Sequence, residues 1–176
     1  MKIIEQQFPF LLSSVENHAV YKEKILKSIA SMGVHEIDDL VTHNEKMANT
    51  DWYLGRDVIR PYLDDIKSLL GDHIQQINEI LQYPEDSRLD LSNYWFQQYG
   101  HLDYHKWHVH TTCLLSNVYY VELPEESSKT SFRILNRVFT IDVKEGDIIT
   151  FPSCTLHQSL PNQSHSRKTV IAFNLN

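Results

Sequence analysis

Cysteine is scarce in this chain: its 176 residues hold two, Cys113 and Cys154. A disulfide framework is therefore excluded as the main support of the fold, and both residues read as small buried side chains in a reducing cytoplasm. Glycine numbers five and proline six, too few for a linker-rich or low-complexity chain. No apolar run approaches the roughly 20 residues that a membrane helix needs. The opening segment, Met1 to Phe10, carries Lys2, Glu5, Gln6 and Gln7, which is not the pattern of a secretory signal. Positive charge is in deficit: 16 Lys and Arg stand against 23 Asp and Glu, a net charge of −7. That balance argues against a broad footprint for duplex nucleic acid or for an anionic membrane.

What is present suffices for a packed core. Apolar residues are 41% and aromatic ones 11%, and the length predicts one domain, 1–176. The chain changes character near residue 90. Before it the pattern is helical. Ser14 precedes Val15, Ala19, Val20, Ile25, Leu26 and Ile29, and Gly33 follows, which predicts a helix of about 18 residues between an N-cap and a C-terminal glycine. A second helix is expected after Asp57, with Pro61 in its first turn and a stripe of Ile59, Tyr62, Ile66, Leu69, Leu70, Ile74, Ile77 and Leu81 that Pro84 ends. From 91 to 176 the pattern is that of strands: 93–99, 114–123, 132–135, 138–143, 147–151 and 169–175, each bounded by Pro, Gly, Ser or Asn. Short strands at this spacing predict a sandwich or jelly roll. The expected class is α+β, with the helices of 1–90 packed on the outer face of a β core.

Histidine is the residue in excess, ten against five glycines. His101, His105, His108 and His110 crowd together, and His157 and His165 follow. In His108-Val109-His110 the two imidazoles stand at i and i+2. They share a face of an extended segment, because side chains there repeat every two residues, and both can reach one metal. His157 ends a stretch running from Gly146-Asp147, a turn, through a strand to Phe151-Pro152-Ser153. A third imidazole just past such a strand can meet the pair across a sandwich and cap one face of a metal, leaving positions open. Arg167 lies ten residues on, with Thr169 on the same face of the last strand. A guanidinium beside a hydroxyl is a carboxylate clamp.

These pieces together resemble the iron(II)- and 2-oxoglutarate-dependent oxygenases, in particular the small prolyl-hydroxylase-like proteins of bacteria and tailed phages. The resemblance runs over about 80 residues: Trp95, His108-Val109-His110, Ser116-Asn117-Val118-Tyr119-Tyr120, Gly146-Asp147, Phe151-Pro152-Ser153, His157, Arg167-Lys168-Thr169 and Phe173-Asn174. It implies a double-stranded β-helix (jelly-roll) core, 91–176, with N-terminal buttressing helices. It also implies Fe(II) held by His108, His110 and His157, and 2-oxoglutarate held through its distal carboxylate by Arg167 and Thr169, with Tyr120, or Tyr99, sharing that carboxylate. The implied activity is oxidation of a small-molecule or peptide substrate by O2, with Tyr104 and Trp107 at the mouth of the site.

One position departs from the wider superfamily, which has His-x-Asp or His-x-Glu where this chain has His110. A literal His-x-Asp stands earlier, at His101-Leu102-Asp103, and remains the alternative ligand pair. Two other readings also stand. A cupin would share the jelly roll but would carry a glutamate after its His pair, where Thr111 to Leu115 hold no carboxylate. A non-catalytic metal-binding jelly roll would favour four protein ligands.

Overall fold

The β-branched and aromatic runs of the C-terminal half form strands, and the computed structural model arranges them in two antiparallel sheets. It describes residues 9–33, 45–47, 49–55 and 57–176. The opening segment contrasted above with a secretory signal lies, as far as Phe8, outside them. In chain order the strands are β1 (Leu11–Ser14), β2 (Glu45–Lys46), β3 (Asn49–Thr50), β4 (Leu91–Tyr99), β5 (Tyr104–His108), β6 (Leu115–Glu122), β7 (Thr130–Ile134), β8 (Arg137–Thr140), β9 (Asp147–Pro152), β10 (Leu156–Ser159) and β11 (Lys168–Leu175). The larger sheet runs β1-β9-β6-β11-β4-β3 and the smaller β2-β5-β10-β7-β8. Two α-helices, α1 (His18–Ser31) and α2 (Pro61–Ile80), precede β4. No described helix is long and apolar enough to cross a membrane.

The N-terminal half is less purely helical than its pattern predicts. Ser14, expected to cap a helix, ends β1, which pairs along β9 from Leu11–Thr150 to Ser14–Asp147. Its hydroxyl donates to Asp147 Oδ1 at 2.6 Å. The helix begins four residues later, after Asn17 in the left-handed region at φ 54°. Pairing with a sheet edge satisfies the backbone of 11–14 more completely than one more helical turn would. The Gly146-Asp147 turn is fixed by the same contact region. Gly146 has φ +91°, and a β-carbon there would come within 2.9 Å of His18 Cγ, so only glycine fits.

The long helix follows its stripe. Pro61 occupies the first turn, and Tyr62, Ile66, Leu69, Leu70, Ile74 and Ile77 are buried. Ile59 precedes the helix and is exposed. These residues pack with Ile25 and Ile29 of α1 and with Phe96, Tyr119, Ile171 and Phe173 of the larger sheet. A fully buried Ile or Leu contributes about 1.5–3 kcal/mol, so this layer fixes which face of the sheet is left for chemistry. On the other face, Tyr99, Tyr120, Ile149, Phe151 and Val170 meet Phe132 of the smaller sheet.

One polar group crosses the helix–sheet layer. His73 of α2 is buried, with Nδ1 3.1 Å from Ser13 Oγ and Nε2 3.1 Å from Thr150 Oγ1. Thr150 gives its proton to Asn117 Oδ1, so it accepts from His73 Nε2. Burial lowers the His73 pKa from 6.5 to about 4. Above 6.5 this preference for the neutral ring stabilises the fold. As pH falls from 6.5 towards 4 the unfolded chain takes up a proton that the folded one refuses, and on the order of 3 kcal/mol is lost. His73→Gln removes the titration, so its melting temperature should fall less than the wild type's between about pH 7 and pH 5. Equal slopes in a thermal-denaturation series would show that His73 is not the group responsible.

Candidate functional site

Pairing of β10 with β5 brings the two histidine motifs together. His157 stands opposite His108, but Ser159 stands opposite His105, so β5 carries one more residue than its partner over this stretch. That bulge resets the alternation of β5. His105 and His108, three apart, then face the same side and stack with ring centroids 3.9 Å apart. His110 lies in the turn beyond β5. Its N–H donates to Ser153 O at 3.0 Å, while Ser153 N–H donates to Leu114 O at 3.0 Å and the Ser153 hydroxyl donates to Cys113 O. The serine of Phe151-Pro152-Ser153 is thus the staple that places His110 next to β10. One ring nitrogen from each of His108, His110 and His157 lies within 4.8 Å of the others.

The outer nitrogens show which atoms are aimed inward. His108 Nδ1 lies 2.8 Å from Lys106 O and His157 Nδ1 2.9 Å from Thr155 O. A carbonyl only accepts, so both rings carry their proton on Nδ1 and keep the Nε2 lone pair free. His110 Nδ1 lies 2.8 Å from Asn174 Oδ1 and 2.8 Å from Ser116 Oγ, and the ring rests against Trp95. The Phe173-Asn174 ending therefore supplies an outer partner for the second histidine. Metal-bound imidazoles are held in this manner. Burial lowers the pKa of His108 to about 4 and of His157 to about 2, and lowers that of His110 too. Three neutral, oriented imidazoles that can cap one face fit a divalent transition metal with open positions. No carboxylate stands in the ligand set among the described residues.

A narrow cavity runs from the histidines between the sheets. Among the described residues that line it, Lys168 is the one Lys, Arg, Asp or Glu. Its side chain is fully buried, and Nζ donates to Ser128 O at 2.7 Å and Ser159 Oγ at 2.9 Å, over the Tyr99 ring at 5.0 Å from its centroid. With no anion beside it, burial lowers its pKa from 10.5 to about 7.

Arg167 is not brought to this cavity. Along β11, Lys168, Val170 and Ala172 line the cavity, whereas Ile171 and Phe173 pack on the helices. Arg167 and Thr169 do share a face, and it is the outer one. Both bind Glu122 there, Arg167 through Nε at 2.8 Å and Nη2 at 3.2 Å with its side chain 47% exposed. A strand alternates with period two, so Arg167 and Lys168, one residue apart, lie on opposite faces of β11. Lys168, at the head of that strand, is a cavity residue that the sequence analysis did not select.

The remaining expectations divide. Tyr99 lines the cavity beneath Lys168. Tyr120 is one contact removed, its hydroxyl donating to Thr130 Oγ1 at 2.7 Å, and burial raises its pKa to about 12. His101 stacks on His165, and Asp103 accepts from Gly100 N–H and faces Lys46 Nζ at 3.3 Å, so this pair lies apart from the three histidines. Neither Tyr104 nor Trp107 lines the cavities beside the histidines. Trp95 does, and so does Trp52, which no motif or spacing singles out. Cys113 is half-buried and Cys154 exposed, both as free thiols, so neither is the buried core residue expected from its setting.

No protein-family model matches the sequence, and no curated protein does either. Solved structures match in fold. A Pseudomonas putida prolyl-4-hydroxylase is 11% identical, with a TM-score of 0.69 over 96% of this chain and 92% of its own. The viral collagen prolyl hydroxylase of Paramecium Bursaria Chlorella virus-1, solved as a 2-oxoglutarate complex, is 13% identical, with a TM-score of 0.62 over 93% and 94%. The α-ketoglutarate-dependent carbocyclase of nogalamycin biosynthesis is 12% identical, with a TM-score of 0.63 over 94% and 78%. The chain has the fold of these oxygenases.

Proposed function

We propose that the chain is an Fe(II)- and 2-oxoglutarate-dependent oxygenase built as a single domain, 1–176. In this reading residues 91–176 form a double-stranded β-helix and the helices of 1–90 buttress it. The observation that carries the reading is the junction of two features: three histidines oriented to cap one face of a metal, opening directly into a cavity in which Lys168 is the one Lys, Arg, Asp or Glu among the described lining residues.

His108, His110 and His157 would hold the iron. Bound together with 2-oxoglutarate, it supplies O2 activation coupled to decarboxylation and the oxidation of a C–H bond. The three ligands are all neutral, so the cosubstrate's dianion is the charge that balances the metal. Lys168 would anchor the distal carboxylate. A carboxylate beside Nζ favours the ammonium form and restores the proton that burial disfavours. The Tyr99 ring holds the stem of Lys168 in place, and the Ser159 and Thr130 hydroxyls stand near to share the carboxylate. Arg167 and Thr169, paired with Glu122, brace the outside of β11. The Lys168 side chain is fully buried, and low exposure to water would strengthen that ion pair. The substrate is a small molecule or a peptide, O2 is the second reactant, and two free thiols suit a reducing cytoplasm.

Calorimetry with Fe(II) or Mn(II), kept anaerobic, tests the reading. 2-Oxoglutarate should bind the metal-loaded protein far more tightly than the metal-free one, and aerobic samples with Fe(II) should release succinate. Metal binding with no effect on 2-oxoglutarate would overturn it in favour of a cupin-type or non-catalytic site.

A further inference from the structure

A second cavity, of about 300 Å³, also meets the histidines, and Lys168 is not among its described lining residues. It shares Trp95, Gln97, His105, His108 and His110 with the first and adds Trp52, Val109, Thr111 and Thr112, with Asn93 and Asn174. Among the described residues lining it there is no Asp, Glu, Lys or Arg. The wall is therefore two indoles, a valine, amides, hydroxyls and imidazoles. A charged group entering it would lose its water and meet no counter-charge, whereas an uncharged group with an amide or hydroxyl would find partners for both its apolar and its polar parts.

Trp52 is held over this cavity by a buried ion pair. Asp51, fully buried, accepts from Phe96 N–H at 2.8 Å, from Arg60 Nε at 2.7 Å and from the Tyr62 hydroxyl at 2.7 Å. The Arg60 guanidinium also donates to the carbonyls of Asp51, Leu54, Gly55 and Val58 at 3.1–3.3 Å. One arginine thus ties down the whole turn that carries Trp52. The indole packs on Trp95 with centroids 4.4 Å apart and yet stays 47% exposed. An aromatic ring fixed so firmly and left half open beside the metal ligands presents a ready face to a ligand.

We propose that this cavity receives an uncharged, largely apolar substrate group that carries a neighbouring amide or hydroxyl, and that Trp52 is the residue that selects it. The proposal rests on the oxygenase reading for the chemistry that follows binding, but not for the binding itself. Three probes of similar size test it: N-acetyl-leucinamide, its aspartate analogue and its lysine analogue. Binding is followed through the indole N–H signals in NMR, on metal-free protein and on protein loaded with Zn(II) and 2-oxoglutarate. The uncharged probe should bind about tenfold or more tightly than either charged one, because the charged probes desolvate without a partner. Trp52→Ala should weaken the uncharged probe by about tenfold, and Trp52→Phe, which keeps a ring, by much less.

A blocked pentapeptide centred on leucine separates the two sources of such a group. Tighter binding than the single residue supports a polypeptide substrate, and equal binding supports a free small molecule. Equal binding of charged and uncharged probes, or no effect of Trp52→Ala, overturns the proposal. Because 2-oxoglutarate binding is measured in the same samples, loss of probe selectivity with cosubstrate binding intact refutes this inference alone. Probe selectivity without cosubstrate binding refutes the oxygenase reading alone.

Discussion

Replacing His157 with alanine should leave bound iron well below one per chain. His157 sits between the sheets, 5% exposed, with its outer nitrogen committed to Thr155 O, so its ring is held in one orientation for the metal. Loss of an outer hydrogen-bond partner of a metal-bound histidine costs roughly 10–100-fold in affinity. Asn174→Ala, which removes one of the two outer partners of His110 and leaves Ser116, should fall at the low end of that range, and loss of the ligand itself should exceed it. Metal content after desalting, measured on wild type, H157A and N174A, gives the ranking. Full iron occupancy in H157A would remove His157 from the ligand set and with it the case for a facial cap.

Lys168→Ala should weaken 2-oxoglutarate by roughly 30- to 4,000-fold, equivalent to about 2–5 kcal/mol, because the distal carboxylate would be left desolvated and unpaired. Arg167→Ala should change it less than about fivefold, since an exposed ion pair on the far face contributes at most about 1 kcal/mol. Metal binding should survive both changes. The pH dependence follows from the same lysine. With its pKa lowered to about 7, Lys168 is already an ammonium below that pH. Above it, binding must recruit a proton, so affinity for 2-oxoglutarate should decline as pH rises beyond about 7. Isothermal titration of metal-loaded protein at several pH values reads both effects. If K168A binds normally and R167A does not, the anchor is Arg167 after all and β11 must present its other face to the cavity.

Much of the fold was legible in the sequence because its signals are local. The strands of 91–176 appear where β-branched and aromatic runs end at Pro, Gly, Ser or Asn, and α2 begins at the proline expected in its first turn. The three histidines could also be chosen, since spacing and the Phe-Pro-Ser context are carried by neighbouring residues. What stayed hidden depends on partners far along the chain. Ser14 looks like a helix cap until β9 is there to pair with it. The bulge in β5 exists only in relation to β10, so nothing nearby announces that His105 and His108 share a side. The choice between Arg167 and Lys168 turns on which face of β11 the helices cover, a matter decided by Ile66 and Phe173 meeting across the layer. Trp52 belongs to a turn whose shape is set by Asp51 and Arg60, and an acid and a base nine residues apart give no hint that both are buried.

The pairing of β1 with β9 has a bearing on how the chain reaches this state. Leu11 meets Thr150 and Ser14 meets Asp147, so β1 pairs with a strand more than 100 residues further along the chain. Contacts of such long range are slow to form and are closed late. The two helices can associate in the meantime, but β1 must wait beside them as an unpaired edge, open to pairing with another chain. By the range of its contacts β1 is thus expected among the last strands to be placed, and its arrival seals one edge of the larger sheet.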